Sequence, residues 1–305
     1  MSISIVISNY NGEEILKKNL PKVLDAVGNA EIIVVDDASV DGSLEVLSDF
    51  KSKIKIIKNE KNLGFSSAIN KGVKEAKGEI IVLLNTDVIP EKTFLAPLLT
   101  HFKDSNVFAV GCMDKSIENG KTIFRGRGVG RWKRGFFIHS RGEVDKKNTL
   151  WVNGGSGAFR KSVWEKFGGL DETYNPFYWE DIDLSYRALK SGYEIVFEPK
   201  SVVMHEHEKG AIKNTYSNFE IKTIAYRNQF IFVWKNITDP SMRLSHLFWL
   251  PYHIFSALLR RDLAFVKAII DAFILLPKII GYKDIEKRLF ILKDNQILAP
   301  FKGEK

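Results

Sequence analysis

Residues 31–43 read EIIVVDDASVDGS. Four β-branched aliphatics, Ile32 to Val35, run without interruption and stop at two aspartates. An unbroken Ile/Val run, rather than an alternating one, marks a strand buried on both faces. Asp41-Gly42-Ser43 then supplies a turn and a cap for a following helix. The same unit recurs on both sides. Ile3–Ser8 (ISIVIS) precedes Glu13–Ala26, where Ile15, Leu16, Leu20, Val23 and Leu24 fall at helical spacing. Lys53–Ile57 is a third apolar run, Phe65–Ala76 is helical, and Glu79–Leu84 (EIIVLL) is a fourth run. Alternating buried strands and helices predict βαβ units, an α/β fold with a mostly parallel central sheet flanked by helices.

Ligands of such sheets sit at the carboxyl ends of the strands. Polar residues gather there: Ser8-Asn9-Tyr10-Asn11 after the first strand, Asp36-Asp37 after the second, Asn62-Leu63-Gly64 after the third, Asn85-Thr86-Asp87 after the fourth. Turns and caps use the same residue types. Four such segments converging on one edge point to a site.

The 305 residues are 27% charged and 45% apolar, which excludes a disordered chain and allows a large core. A single cysteine, Cys112, excludes an intramolecular disulfide and a Cys-based zinc site. The opening MSISIVISNYNGEE has neither the basic nor the long apolar region of a leader and reads as a strand. The net charge of +8 invites a nucleic-acid reading, but its distribution argues otherwise. Residues 221–305 carry +7 and the first 220 residues +1, a nearly neutral body with a basic tail.

From Phe108 to His207 glycines, aromatics and short strands dominate. Gly126-Arg127-Gly128-Val129-Gly130 is not a dinucleotide fingerprint, because it lacks the preceding strand, the spacing and the following helix. An acid at the tip of a strand, Asp87, suits Mg²⁺ or Mn²⁺ bridging two phosphates. His205-Glu206-His207, just after the apolar Ser201–Met204, offers an imidazole ligand that favours Mn²⁺. Trp179-Glu180-Asp181-Ile182-Asp183 opens a helix expected over Asp181–Ser191. Acids suit a helix N-terminus for electrostatic reasons alone. An Asp among other carboxylates and the aromatics Phe177, Tyr178 and Trp179 can also have a raised pKa and act as a general base.

Together these segments resemble the family 2 inverting glycosyltransferases, especially the rhamnosyltransferase-like branch. The carriers are VISNYNG (6–12), VVDDASVDGS (34–43), NLGFSSAINKG (62–72), LLNTDV (83–88), GGSGAFR (154–160), FYWEDIDLSYRALKSGY (177–193) and VVMHEHEKG (202–210), in that order over residues 3–210. The resemblance implies a GT-A fold and transfer of a sugar from a nucleotide diphosphate donor with inversion. It implies that Ser8 and Tyr10 border the nucleobase and that Asp37, with Asp36 nearby, reads a pyrimidine N3–H. Uracil and thymine share that group, so the donor is UDP- or dTDP-linked. Asn62, Gly64 and Lys71 line the ribose and diphosphate, beside Asn85 and Thr86. Asp87 is the metal-binding acid and His205 a further metal or diphosphate ligand. Asp181 is the base and Glu180 its neighbour, with Gly155, Ser156 and Trp179 on the acceptor side. Asn85 stands where the family's Asp-x-Asp motif has its first acid, and a neutral amide is a weaker metal ligand.

The expected organisation is a transferase domain over 1–210, with a nucleotide-binding half (1–105) and an acceptor-binding half (106–210), then a helical extension over 211–305. The longest uncharged stretch of that extension, Leu244–Leu259, has 16 residues, whereas a membrane span needs roughly 20. Arg260, Lys267, Asp271 and Lys278 share one helical stripe, opposite Phe265, Val266, Ile269, Phe273 and Leu276. Such a helix packs on the body or lies on anionic lipid, with Phe248, Trp249 and arginines as anchors. The second reading implies a peripheral protein on the cytoplasmic face of a membrane, a glycan or lipid-linked glycan as acceptor, and cell-surface polysaccharide as product. Arg125–Arg134 (RGRGVGRWKR) reads as a mobile loop over the acceptor or as a plain hairpin. Two rivals stand. A sugar-1-phosphate nucleotidyltransferase needs a Gly-rich basic loop where SNYNGEE stands, and a non-catalytic basic module needs none of the acids.

Overall fold

The computed structural model describes residues 1–118, 120–205 and 215–304, with the backbone alone at 282–287. The first half runs β1 (Ile3–Asn9), α1 (Glu13–Val27), β2 (Glu31–Asp36), α2 (Ser43–Asp49), β3 (Lys55–Lys58), α3 (Phe65–Glu75), β4 (Ile80–Asn85), β5 (Val88–Pro90) and α4 (Leu95–His101). Then follow β6 (Val107–Glu118), β7 (Lys121–Arg125), β8 (Gly128–Lys133), β9 (Phe136–Arg141), β10 (Ser156–Arg160), α5 (Lys161–Lys166), α6 (Glu180–Lys190) and β11 (Glu194–His205). The chain closes with α7 (Asn218–Asn236), α8 (Pro240–Leu259), α9 (Leu263–Glu286) and α10 (Asp294–Leu298). The third strand starts two residues later than its apolar run, because Lys53 and Ile54 turn back to donate their N–H groups to Phe50 O.

The sheet order is β3-β2-β1-β4-β10-β6-β11-β5, with β7 added on β6. β3, β2, β1 and β4 are mutually parallel, and β10 enters antiparallel between β4 and β6. Both faces are covered. Ile5, Ile7, Val34 and Val82 point into a core with α1, α2 and α4, while Val6, Ile33, Val35 and Ile81 point into one with α3 and α5. Strand side chains alternate between faces, so only a continuous aliphatic run fills both cores. Gly72 of α3 lies so close to β1 that a Cβ there would come within 2.4 Å of Val6.

A third core joins the acceptor-side half to the C-terminal helices. Phe137 of β9, Tyr174, Trp179 and Tyr186 pack against Phe230, Phe232 and Ile237 of the α7 region and Phe265 and Ile269 of α9. The boundary expected at 210 lies outside the described residues. α7 starts with a capping box in which Ser217 Oγ accepts from Glu220 N and the Glu220 carboxylate accepts from Ser217 N. α9 meets α7 along Ala264, Ala268 and Ala272, small residues that let the two backbones approach. The contact line therefore runs beside the stripe expected from the sequence. Phe265 and Ile269 are buried, but Phe273 is 52% exposed and packs its ring against Trp234.

The basic segment 125–134 runs from the end of β7 through β8, the first strand of a hairpin with β9. Arg125 pairs with Glu118, and buried Arg127 makes a two-pronged contact with Glu304 at 2.5 and 2.8 Å. Gly128 and Gly130 are glycines because a Cβ would strike Trp151 and Leu150 at 2.5 Å.

Asp294 holds the last helix to α6. Its carboxylate accepts from Lys190 Nζ at 2.9 Å, Tyr186 OH at 2.8 Å and the N–H groups of Thr238 and Asp239 at 2.7 Å. Asp294→Ala leaves the buried Lys190 ammonium without its counter-charge and is expected to cost about 3–5 kcal/mol in urea denaturation. A loss below about 1 kcal/mol would contradict this reading of the pair.

Candidate active site

Parallel pairing sets Asn9 beside Asp36 and Ser8 beside Asn85, so the polar ends of β1, β2 and β4 form one edge. Their duties differ. Asp36 is fully buried; its Oδ1 accepts from Asn9 Nδ2 (2.8 Å) and Ser39 Oγ (2.6 Å), and its Oδ2 from Ser39 N (3.0 Å). It closes the turn after β2. Asp37 clamps the loop before α3, accepting from Leu63 N and Gly64 N at 2.9 and 2.8 Å and from Asn59 Nδ2 at 2.7 Å. Lys71 stands one layer behind, donating to Asn59 Oδ1 at 2.6 Å. Asn62 Oδ1 accepts from Gly64 N. Gly64 has φ +87°, and a side chain there would strike Asn175. Tyr10 and Ser8 are half-buried at the same edge.

The Asn85-Thr86-Asp87 tip leads into β5, which pairs with β11 so that Val88 lies opposite His205. His205 Nε2 is 3.3 Å from Asp87 Oδ2, and its Nδ1 is 2.9 Å from Asp114 Oδ2 on β6. Burial opposes charge on the ring, yet the Asp114 and Asp87 carboxylates raise its pKa to about 9. Asp114 was not among the expected residues. Its signal in the sequence is an acid inside an apolar strand, VFAVGCMDK. Holding Nδ1 as a donor turns Nε2 toward Asp87, as second-layer carboxylates do for metal-ligating histidines. Asp87 and His205 thus fit a divalent cation as one oxygen and one nitrogen ligand. Among the described residues no three such side chains converge on one point as a complete metal cage. Glu206 and His207 lie outside the described residues.

Gly154-Gly155 spans the gap to the acids of α6. A Cβ on Gly155 would touch the Asn85 amide at 2.5 Å, and one on Gly154 would lie 3.5 Å from Asp181 Cβ. Asp181 Oδ2 accepts from Gly154 N at 3.2 Å. Ser156 is buried at the start of β10, and Trp179 is a core residue flanked by Phe137, His139 and Phe232. Tyr178, 42% exposed, is the side chain of this turn that faces solvent. Tyr178 and Trp179 have φ +71° and +77°, a left-handed backbone uncommon for bulky residues.

The three acids of α6 separate electrostatically. Burial pushes Glu180 well above the ordinary carboxylate range, and the charge of Asp181 adds to this. Burial also raises Asp181, against the N–H groups of Gly154 and Ile182 that favour its anion. Burial works the same way on Asp183, but Arg187 and Lys235 outweigh it and hold that carboxyl below its usual value. One acid is a structural anion, and the other two form a coupled pair suited to proton exchange.

A family model, "Glycosyl transferase family 2", matches residues 4–168, more than half of the chain. A dolichol-phosphate mannosyltransferase from Pyrococcus furiosus is 32% identical over 125 residues, 40% of this chain and 35% of that protein. The chain spans half or less of the length of the curated relatives it matches first. Among solved structures, GalNAc-T7 with UDP, GalNAc and Mn²⁺ superposes with TM-score 0.62 at 21% identity, over 77% of this chain and 48% of that one. The mannosyltransferase PcManGT from Pyrobaculum calidifontis, with GDP-Man and Mn²⁺, gives 0.57 at 17% identity, over 98% and 86%. The structural likenesses establish the GT-A fold.

Glu180 is 6% exposed, and its Oε2 has no hydrogen-bond partner among the described residues. Its folded pKa lies above the ordinary 4.5, so the folded state binds the extra proton and stability falls as pH rises past that value. Glu180→Gln is therefore expected to raise the melting temperature, with a gain that grows from pH 4 to neutrality. A gain independent of pH would show that the carboxyl carries no such strain.

Proposed function

Because the chain belongs to glycosyl transferase family 2, we propose that it transfers a sugar from a UDP- or dTDP-linked donor to a hydroxyl of a glycan or lipid-linked glycan, with inversion. The observation that carries this reading is the glycine pair. A Cβ on Gly155 would lie 2.5 Å from the Asn85 amide and one on Gly154 3.5 Å from Asp181 Cβ, so the pair brings Asp181, a carboxyl with a raised pKa, close to the tip where the donor diphosphate belongs.

The donor lies along Ser8, Tyr10, Asp37, Asn62, Gly64, Asn85, Thr86 and Asp87, with Asp36 and Lys71 supporting the loops from behind. Asp87 and His205 would hold Mn²⁺ or Mg²⁺, which neutralises a leaving diphosphate. The Mn²⁺ in two structural neighbours supports this. The acceptor enters beside Gly155 and Ser156, with Trp179 supporting the turn from the core. Asp181 takes the proton of the acceptor hydroxyl as that oxygen bonds to the anomeric carbon. The bond from this carbon to the diphosphate breaks, and its electron pair leaves on the diphosphate oxygen. Attack from the opposite face inverts the centre and needs no enzyme nucleophile. Glu180, protonated by its burial, keeps a second negative charge away from Asp181.

A panel of nucleotide sugars with a lipid-linked glycan acceptor, scored by release of free nucleoside diphosphate, tests the reading. Asp181→Asn and Asp87→Ala are each expected to lower turnover at least about 100-fold with folding retained. The acidic limb of the pH–rate profile should lie above the ordinary carboxylate range, and NMR should find the anomer opposite to the donor's. Full activity in both variants leaves only a non-catalytic module, and retention of configuration excludes a single displacement.

We place the reaction on the cytoplasmic face of a membrane, in the assembly of cell-surface polysaccharide. Support comes from α8, whose outer side exposes Leu244, Leu247, Phe248, Tyr252, Phe255 and Leu259 along one stripe. Basic residues border it, and Arg134 lies over the rings of Trp249 and Tyr252. No described helix is long and apolar enough to cross a bilayer. The full chain should float with phosphatidylglycerol vesicles, less so at high salt, and Phe248→Glu with Phe255→Glu should abolish flotation. Undiminished flotation of that double variant would remove α8 as the contact.

A further inference from the structure

The acids of α6 are preceded by an unusual turn, residues 174–179. Its last two residues, Tyr178 and Trp179, have left-handed backbones. Such conformations are strained for bulky residues and persist only where surrounding contacts over-determine them. Helix formation starts at the next residue, so any relaxation of this turn moves Glu180 and Asp181 directly.

One side chain holds the turn from inside. Asn228, in the middle of α7, is fully buried. The two N–H groups of its Nδ2 are shared among three carbonyls of the turn, Tyr174 O at 2.8 Å and Phe177 O and Tyr178 O at 2.9 Å. The amide is itself oriented, because Arg227 Nε donates to its Oδ1 at 2.9 Å while Arg227 Nη2 donates to Asn175 O at 2.6 Å. From the opposite side the turn rests on the loop that Asp37 clamps. Asn175 Nδ2 donates to Leu63 O and Ser67 Oγ at 2.8 Å, and Phe65 N donates to Pro176 O at 3.2 Å. The left-handed segment is thus pinned between the donor edge and a C-terminal helix.

We propose that Asn228 is a positioning residue for Asp181: through the carbonyls of Tyr174, Phe177 and Tyr178 it fixes the turn that aims the base at the acceptor hydroxyl. α7 then belongs to the active site, although it lies beyond every segment that carries the family resemblance. The inference rests on the reading of Asp181 as general base. Among the described residues, these carbonyls and Arg227 are the partners that account for burying a polar Asn between the aromatics of YRNQFIFVW.

The test uses the full chain with Asn228→Ala, and Asn228→Ser, which keeps one donor. Misplacing a catalytic group by a fraction of its reach lowers turnover more than binding, so kcat of Asn228→Ala should fall at least about tenfold with donor KM and UDP affinity within about twofold. Asn228→Ser should recover part of the loss. Amide exchange in 174–183 should quicken at least about tenfold while the strand amides of β1 and β4 keep their protection. The proposal fails if exchange in 174–183 is unchanged, or if folded Asn228→Ala keeps its kcat. It fails too if kcat, UDP affinity and strand protection fall together, since Asn228 would then be general support. A wild-type chain that turns over no donor overturns the transferase reading and the catalytic half of this one, while exchange still decides whether Asn228 holds the turn.

Discussion

Asp183 is sealed from solvent, and its two oxygens accept hydrogen bonds from Tyr174 OH, Arg187 Nε, Lys235 Nζ and Asn236 Nδ2 at 2.7–3.1 Å. Arg187 also donates to Phe167 O and Gly169 O, and Lys235 reaches Asp171 at 2.7 Å. A carboxylate taken out of water is tolerated only with paired charge and saturated lone pairs. Every element bearing a partner is therefore locked relative to α6: the loop after α5, the 171–174 segment, and α7. Glu180 and Asp181 begin the same helix, so the geometry of the base derives from this buried pairing.

The network makes the molecule asymmetric in its electrostatics. Asp183, with two cations, stays ionised at ordinary pH. Glu180 and Asp181, one turn away or less, have backbone N–H groups and burial but no cation among the described residues, and both retain protons to higher pH. Neighbouring carboxyls of one helix thus divide into a structural anion and a titrating pair. Across the cleft, Asp114 does for His205 what Arg187 does for Asp183, fixing an orientation through a group that faces away from the cleft.

Much of this was legible in the sequence. Aliphatic runs long enough to fill two cores located the parallel strands, and polar residues at their ends located the edge where Asp37, Asn85 and Asp87 stand. Helical spacing placed α1, α3 and α6 within a residue or two. Other parts were not legible. Asp36 and Asp37 read alike, yet one closes its own turn and the other holds the loop at Gly64, a distinction that depends on a segment some 25 residues away. Trp179 read as a cleft residue and is core. Phe273 shared one apolar stripe with Phe265 and Ile269, yet those two are buried and Phe273 is half exposed.

The sequence by itself determined the α/β class, the order of the first four strands' elements and the chemical types gathered at their ends, because those follow from periodicity and from local turn chemistry. Only the tertiary structure decided which acids stay charged, that Asp114 sits behind His205, and that α7 grips the turn before Asp181. The charge of Asp183 draws on its neighbour Arg187 but also on distant partners, and the left-handed turn and the His205 ring depend on distant ones altogether: Tyr174–Asp183, Asn228–Tyr174 and His205–Asp114 are 9, 54 and 91 residues apart. Apart from Arg187, which lies four residues from Asp183 on the same helix, these partners come from other elements, so their effect exists only once the chain has closed on itself.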